Sequence, residues 1–270
     1  MAMTQALYIV NAFTTRTFGG NPAAVMPLDH WLPDTTLQAL AAQHNLSETA
    51  FFVCHNDGHY ELRWFTPGAE VELCGHATLA SAHVLRTQLA FKGESVRFST
   101  RFSGELVARY LDSGIELDFP SQPPQPHEPE SALLEALQVD VVAAAIPHES
   151  PWKALYEVAD EVALRTIQPN FPAIGAAVDH AVIVTARGAQ HDFVSRFFAP
   201  NLRVNEDPVT GSAHCVLTPY WAQKLKRRVM RAAQLSERGG ELTCTLEGDR
   251  VKLLGQCVTY ACGNVAVNLT

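Results

Sequence analysis

Cys74-Gly75-His76-Ala77-Thr78-Leu79-Ala80-Ser81-Ala82-His83-Val84-Leu85 is a run of small and apolar residues opened by a glycine. A helix built from it has no polar face to offer water, so the pattern predicts a helix buried on all sides. Its first backbone N–H groups, at Gly75 and His76, have no partner within the helix and stand at the positive end of its dipole. That end is suited to an anion.

The same construction returns as Thr210-Gly211-Ser212-Ala213-His214-Cys215-Val216-Leu217, with Gly211 136 positions after Gly75. Other landmarks keep step with it. Arg63-Trp64-Phe65-Thr66-Pro67 precedes the first helix and Arg196-Phe197-Phe198-Ala199-Pro200 the second, 133 positions apart; Ser103-Gly104-Glu105-Leu106 answers Gly239-Gly240-Glu241-Leu242 at 136. The three extra residues fall to the approach to the second helix, within residues 201–210. A period this long describes two homologous domains rather than a solenoid. They are expected at residues 1–119 and 130–270, joined by residues 120–129 with their five prolines, and the last strand is a candidate to cross back to the first domain. Two helix ends converging between the halves would form a small-molecule site there. The competing explanation is that both helices are plain core elements whose glycines serve close packing.

Composition narrows the function. The chain has 270 residues, 47% hydrophobic and 18% charged, with no apolar run long enough for a membrane helix. A net charge of −8 argues against nucleic acid. The dense basic run at residues 224–231 is accounted for by cations at a helix C-terminus. The N-terminal residues lack a secretion-signal pattern, and the six cysteines form no Cys-x-x-Cys pair. A reducing cytoplasm is therefore expected. Neither a Gly-x-Gly-x-x-Gly nor a phosphate-loop motif is present, and histidines and cysteines lack zinc spacing, so no cofactor and no metal are expected.

Strands are expected at residues 6–13, 23–26, 48–53, 60–65, 95–98, 104–111 and 114–119 in the first half. A helix runs to His44 with Asp34 as its cap, and a hairpin turns at Asn56-Asp57-Gly58. In the second half a short helix at 131–137 is followed by strand and turn over 152–163, then strands at 178–185, 193–198, 241–246, 251–254 and 257–268. Asp179-His180-Ala181 is aligned with Glu48-Thr49-Ala50. Pro219 falls inside the second central helix and should disturb it. The strand-rich order predicts an α+β fold and argues against a doubly wound sheet.

The chemistry on offer is proton transfer at carbon. Glu48 stands at the mouth of an aromatic strand, where Phe51 and Phe52 could raise its pKa by partial burial. Backbone donors at Gly75, His76, Gly211 and Ser212 would meet charge developing on a carboxylate substrate, with His76 and Asp207 beside them. Each residue also has a plain reading: Glu48 as a strand-end carboxylate, Asp207 as a turn cap before Pro208, His76 as a helix-start hydrogen bonder. Two other readings of the same parts remain open. One is a cysteine-dependent racemase using Cys74, and the other is a non-catalytic binder of an anionic metabolite.

Gly20-Asn21-Pro22, Leu46-Ser47-Glu48-Thr49-Ala50-Phe51, Phe65-Thr66-Pro67, Cys74-Gly75-His76-Ala77-Thr78 and Glu206-Asp207-Pro208-Val209-Thr210-Gly211-Ser212-Ala213 together resemble the PhzF-like phenazine biosynthesis family over nearly the full length. The resemblance implies a diaminopimelate-epimerase-like fold, two similar domains each wrapping a bent, mostly antiparallel sheet around one central helix. It implies a cofactor-free isomerase, usually a homodimer. In the phenazine enzyme the matching glutamate shuttles a proton between carbons of a cyclic diene carboxylate. Glu48 inherits that role, while His76, Asp207 and Ser212 inherit positions lining the substrate, with Gly75 as a backbone contact. Related racemases use a cysteine at each central helix. Cys74 matches the first of these, but Thr210 stands at the second.

Overall fold

The duplication is visible in the hydrogen-bonding order of the strands. The structure, a computed structural model, describes residues 2–148 and 150–268. It divides into two compact units, Met1–Asp118 with Leu254–Thr270, and Phe119–Leu253.

The first unit runs β1 (Ala2–Ala12), β2 (Asn21–Leu28), α1 (Asp34–His44), β3 (Glu48–Asn56), β4 (His59–Phe65), β5 (Glu70–Val71), α2 (Gly75–Thr87), β6 (Ser95–Thr100), β7 (Glu105–Leu111) and β8 (Gly114–Pro120). The second runs β9 (Pro124–Pro126), α3 (Ser131–Leu137), β10 (Val141–Pro147), β11 (Lys153–Val158), α4 (Glu161–Thr166), α5 (Phe171–Ala177), β12 (Ala181–Arg187), β13 (Phe193–Ala199), β14 (Val204–Glu206), α6 (Gly211–Leu225), β15 (Val229–Gln234), β16 (Gly240–Glu247) and β17 (Arg250–Gly255). β18 (Cys257–Asn268) then pairs antiparallel with β1.

In the first unit β1-β2-β3-β4-β6-β7 alternate antiparallel, parallel, antiparallel, parallel, antiparallel. In the second, β10-β11-β12-β13-β15-β16 repeat that series. The parallel steps β2/β3 and β4/β6 are the ones spanned by helices α1 and α2, because a parallel neighbour cannot be reached through a tight turn. Helix α2 touches β1, β2 and β3 and also β7 and β18, strands from opposite ends of the sheet, so the sheet curls around it. Helix α6 likewise touches β9, β11, β15 and β16. The α+β architecture with one central helix per unit follows.

Helix α2 is buried at residues 76–82, 84 and 85. Its hydroxyls are satisfied without solvent, since Thr78 and Ser81 donate back to the carbonyls of Cys74 and Ala77 at 2.6 and 2.8 Å. In α6, Pro219 cannot donate to the Cys215 carbonyl, which instead accepts the Gln122 N–H at 2.9 Å. Residues 120–129 are thus more than a linker: they supply this bond and the strand β9, which pairs with β10.

A second duplicated device lies beside each helix. Arg63 grips Glu70 through Nε and Nη2 at 2.7 and 2.8 Å, and Arg196 grips Glu206 through the same two nitrogens at 2.8 and 2.9 Å. The arginines are 133 positions apart and the glutamates 136, so the three extra residues lie between Arg196 and Glu206. Arg196 also donates to the Ile167 carbonyl at 2.8 Å. Removing it leaves a shielded carboxylate and a carbonyl without their donor. Arg196→Met is therefore expected to lower unfolding free energy by about 2–3 kcal/mol. An unchanged urea midpoint would show that the fork contributes nothing.

Several expectations are corrected. Asp34 is the first residue of α1 and not its cap; Pro33 occupies that position, and the Asp34 carboxylate pairs with Arg63 at 2.9 Å. The basic run is not confined to a helix end: Arg231 lies in β15, Lys224 bonds Glu157, and Arg227 bonds Asp192. β10, α5, β14 and β15 have no counterpart in the sequence reading, and the expected turn at residues 159–163 opens α4.

Candidate functional site

Glu48 is the first residue of β3, and the strand brings it beside α2. Its Oε2 lies 3.2 Å from Nε2 of His76, with its side chain 19% exposed and that of His76 at 5%. The imidazole's other nitrogen, Nδ1, lies 3.2 Å from Asn21 Nδ2 and 3.4 Å from Cys74 Sγ. Ser47 donates to Asn21 Oδ1 at 3.4 Å. Three stretches of the chain therefore meet around one ring: Asn21, Ser47-Glu48 and Cys74–His76.

Two local features aim these groups. Gly20 has φ +69, and a Cβ there would run into the Ala12 carbonyl oxygen, so only glycine lets the chain enter β2 with Asn21 in place. Strand alternation puts Ala50 and Phe52 on Glu48's side of β3 and Phe51 on the other, where it packs with Leu37, Leu40 and Ala41 of α1. Of the two phenylalanines proposed to surround the carboxylate, only Phe52 shares its face.

Burial dominates the electrostatics. Burial opposes a charged imidazole, holding His76 neutral with its pKa pushed down to about 3. Carboxylate oxygen, thiol sulfur and imidazole nitrogen of Glu48, Cys74 and His76 lie within 4.8 Å of one another, the one group of three or more such side chains among the described residues. Linear spacing could not show this set. The ring turns Nδ1 toward Cys74 and Nε2 toward Glu48, which places the two groups on opposite sides of it rather than as ligands aimed at one point, and the 3.2 Å approach of Nε2 to the carboxylate is not aligned as a hydrogen bond.

In the second unit Gly211 and Ser212 open α6 as Gly75 and His76 open α2. Asp207 is half-buried. Its backbone N–H donates to Phe197 O at 3.0 Å, its carbonyl accepts from Gln234 Nε2 at 2.7 Å, and its carboxylate accepts the Thr210 hydroxyl. Gln234 also accepts the Thr210 N–H at 2.9 Å. Gln234, in a strand the sequence reading missed, thus fixes the loop that carries Asp207. The threonine standing where a second thiol would be is engaged by Asp207. His214 donates through Nδ1 to the Thr210 carbonyl at 2.8 Å, deep in the core.

The strand registers also decide which half carries the carboxylate. Thr49 pairs with Phe65 and Val182 with Phe198, and Ala23 with Glu48 as Lys153 with Ala181. The residue equivalent to Glu48 is therefore Ala181, not Asp179, whose carboxylate is fully exposed. A two-residue slip in the sequence alignment had given the second half an acid at this place that it does not have.

The family model described as "Phenazine biosynthesis-like protein" matches residues 10–263. A Pseudomonas aeruginosa protein named "Uncharacterized isomerase" is 48% identical over 262 residues, 96% of this chain and 97% of its own. An Enterococcus faecalis protein of the PhzF family has a crystal structure that matches with a TM-score of 0.94 at 41% identity, covering 98% of this chain and 100% of that one. A predicted epimerase of Pseudomonas aeruginosa shares the fold at 19% identity, with a TM-score of 0.72 over 98% of this chain and 99% of its own. Near-complete coverage by the family model, with relatives far above the identity that chance allows, makes this chain a member of the PhzF-like phenazine biosynthesis family, an isomerase-like family.

Proposed function

We propose that the protein is a cofactor-independent isomerase that moves a proton on a small cyclic or unsaturated carboxylate, with Glu48 as the acid and base. The observation that carries this is the shielded Glu48 carboxylate held 3.2 Å from a neutral imidazole at the opening of the buried helix α2. A carboxylate so placed can take a proton from carbon and, once protonated, can return it to another carbon. Gly75, His76, Asp207, Gly211 and Ser212 bind the substrate's charged end in this reading, the glycines through helix-terminal N–H groups. A homodimer in the cytoplasm belongs to the same proposal. The name of the Pseudomonas aeruginosa relative supports the reaction class.

The test offers candidate cyclic diene carboxylates deuterated at the position that would lose its proton. Migration of the label to another carbon, or its loss to water, is expected with the wild-type protein. A label retained in place throughout a panel that binds would end the proposal.

The Cys74–His76 contact of 3.4 Å favours a second reading, in which the thiol is the base of a racemase. That reading predicts loss of exchange in Cys74→Ala together with full exchange in Glu48→Gln, and it lacks a second thiol at Thr210.

A further inference from the structure

Lys153, the first residue of β11, is 1% exposed and among the largest side chains that the protein buries completely. Alternation along the strand sends Ala154, Tyr156 and Val158 into the core cluster on one face, so Lys153, Leu155 and Glu157 stand on the other. That other face lies against α6. Glu157 accepts from the Tyr220 hydroxyl and the Lys224 ammonium, while Cys215 is the α6 group that acts on the charge of Lys153. Strand and helix therefore run the same way, with Lys153 toward the opening of α6 at Gly211 and Ser212 and Glu157 toward its far end.

The duplication gives the same placement independently. Lys153 pairs with Ala181 as Ala23 pairs with Glu48. At this step of the ladder the first unit sets a carboxylate beside the opening of α2, and the second sets an ammonium beside the opening of α6.

An ammonium taken out of water needs a partner. Among the described residues Lys153 has neither a carboxylate nor a hydrogen-bond acceptor. Its contact is the ring of Trp152, 4.2 Å from Nζ and itself 45% exposed. Glu157, further along the same face, is taken up by Tyr220 and Lys224. The Cys215 thiol is pushed up to about 11 by burial, so it is neutral and offers no countercharge, and Arg250, which also acts on that thiol, only adds positive charge. Burial brings the Lys153 amine down to about 8, which leaves most of it charged at neutral pH. The missing partner is an anion that the chain does not supply, and the exposed indole beside the charge favours an organic anion over inorganic phosphate.

We infer that Lys153 and the opening of α6 form a carboxylate-binding site in the second unit, Lys153 supplying the full charge and the N–H groups of Gly211 and Ser212 the directed donors. This role rests on the isomerase reading only in taking that carboxylate to be the substrate's.

The probe is benzoate, a planar carboxylate with no proton to move. In protein carrying carbon-13 at lysine Cε, with the Lys153 signal assigned through bonds from its own backbone, the titration midpoint of Lys153 should rise when benzoate is bound, because an anion favours the charged amine. The amide signals of Gly211 and Ser212 should shift over the same benzoate concentrations. Lys153→Met should weaken benzoate binding about 10–100-fold, the range for a charge-assisted contact. Lys153→Arg, which keeps the charge, should retain part of the affinity. If neither variant folds, the wild-type titration decides without them.

Benzoate that shifts Gly211 and Ser212 while the Lys153 midpoint stays put would overturn the inference, and so would a panel of planar carboxylates that moves none of the three. A lysine that merely fills the core would cost stability when replaced and would titrate identically with and without benzoate. Binding is read without turnover, so its failure is distinguishable from failure of the isomerase reading, which would show as carboxylates that bind at Lys153 and keep their label in place.

Discussion

Glu48→Gln slows label movement by about 10²–10⁴-fold, the usual contribution of a positioned acid or base, while substrate affinity changes little. The amide keeps the size of the carboxylate and can still meet the His76 ring, so the buried contact survives in altered form. What it loses is the ability to hold a proton between two carbons. The measurement is the rate of migration plus loss of deuterium, with folding monitored by thermal unfolding. A Glu48→Gln protein that moves label at the wild-type rate would remove Glu48 from the chemistry, and the shielded carboxylate would revert to a strand-end residue with a structural neighbour. An intermediate loss confined to KM would instead make it a binding group.

The second large effect is on stability in mild acid. His76 and His214 are both buried and neutral, with pKa values pushed down by burial to about 3 and about 4. In the unfolded chain each titrates near 6.5, so between those values the unfolded state binds more protons than the folded one. Stability is therefore fully present above pH 6.5 and is lost as the pH falls below it. At pH 5 each histidine costs about 2 kcal/mol, and the two together about 2–4 kcal/mol after allowing for the attraction of Glu48 for a charged His76. His44, His83 and His180 are shifted downward by burial as well and act with the same sign. The carboxylates held low by their partners, Asp34, Glu70 and Glu161 among them, lose their contribution only at lower pH, so the window from 6.5 to 5 belongs to the histidines. Urea unfolding at pH 7.5 and pH 5 measures the difference. Equal midpoints would mean that these rings are hydrated or charged in the folded protein.

The two predictions probe opposite faces of one design. A buried ring that cannot be charged makes a dependable neighbour for a working carboxylate, and the same burial makes the fold acid-labile. Relieving the strain on either count by exposing His76 would sacrifice the other.

The residues that announced the fold did so because their job is local. A helix of small and apolar side chains has few places to go but the middle of a sheet, and glycine before a helix marks close approach, so α2 and α6 were visible from composition and spacing. The hairpin at Asn56-Asp57-Gly58 and the meander around Ser113-Gly114 followed from turn chemistry. The duplication followed from landmarks repeated at 133 and 136 positions. Asp34 misled because a carboxylate beside a helix start is an ordinary cap, and nothing nearby in sequence reveals that Arg63 claims it. The second-half strands β10 and β15 were missed because alanine-rich Val141–Pro147 and the basic entry to Val229–Gln234 lack the alternation that marks a half-exposed strand.

The sequence by itself determined that the chain is a doubled α+β protein with two buried helices opened by glycine, and it singled out Glu48, Gly75, His76, Asp207, Gly211 and Ser212 as the residues worth locating. Only the tertiary structure decided that Ala181 and not Asp179 stands in the place of Glu48, that Phe51 turns away, and that Asn21 and Cys74 share the far side of the His76 ring. The reason is register: sliding a strand by two residues keeps every side chain on its original face and leaves the pattern of apolar residues almost unchanged, while it alters which atoms lie within hydrogen-bonding reach of one another.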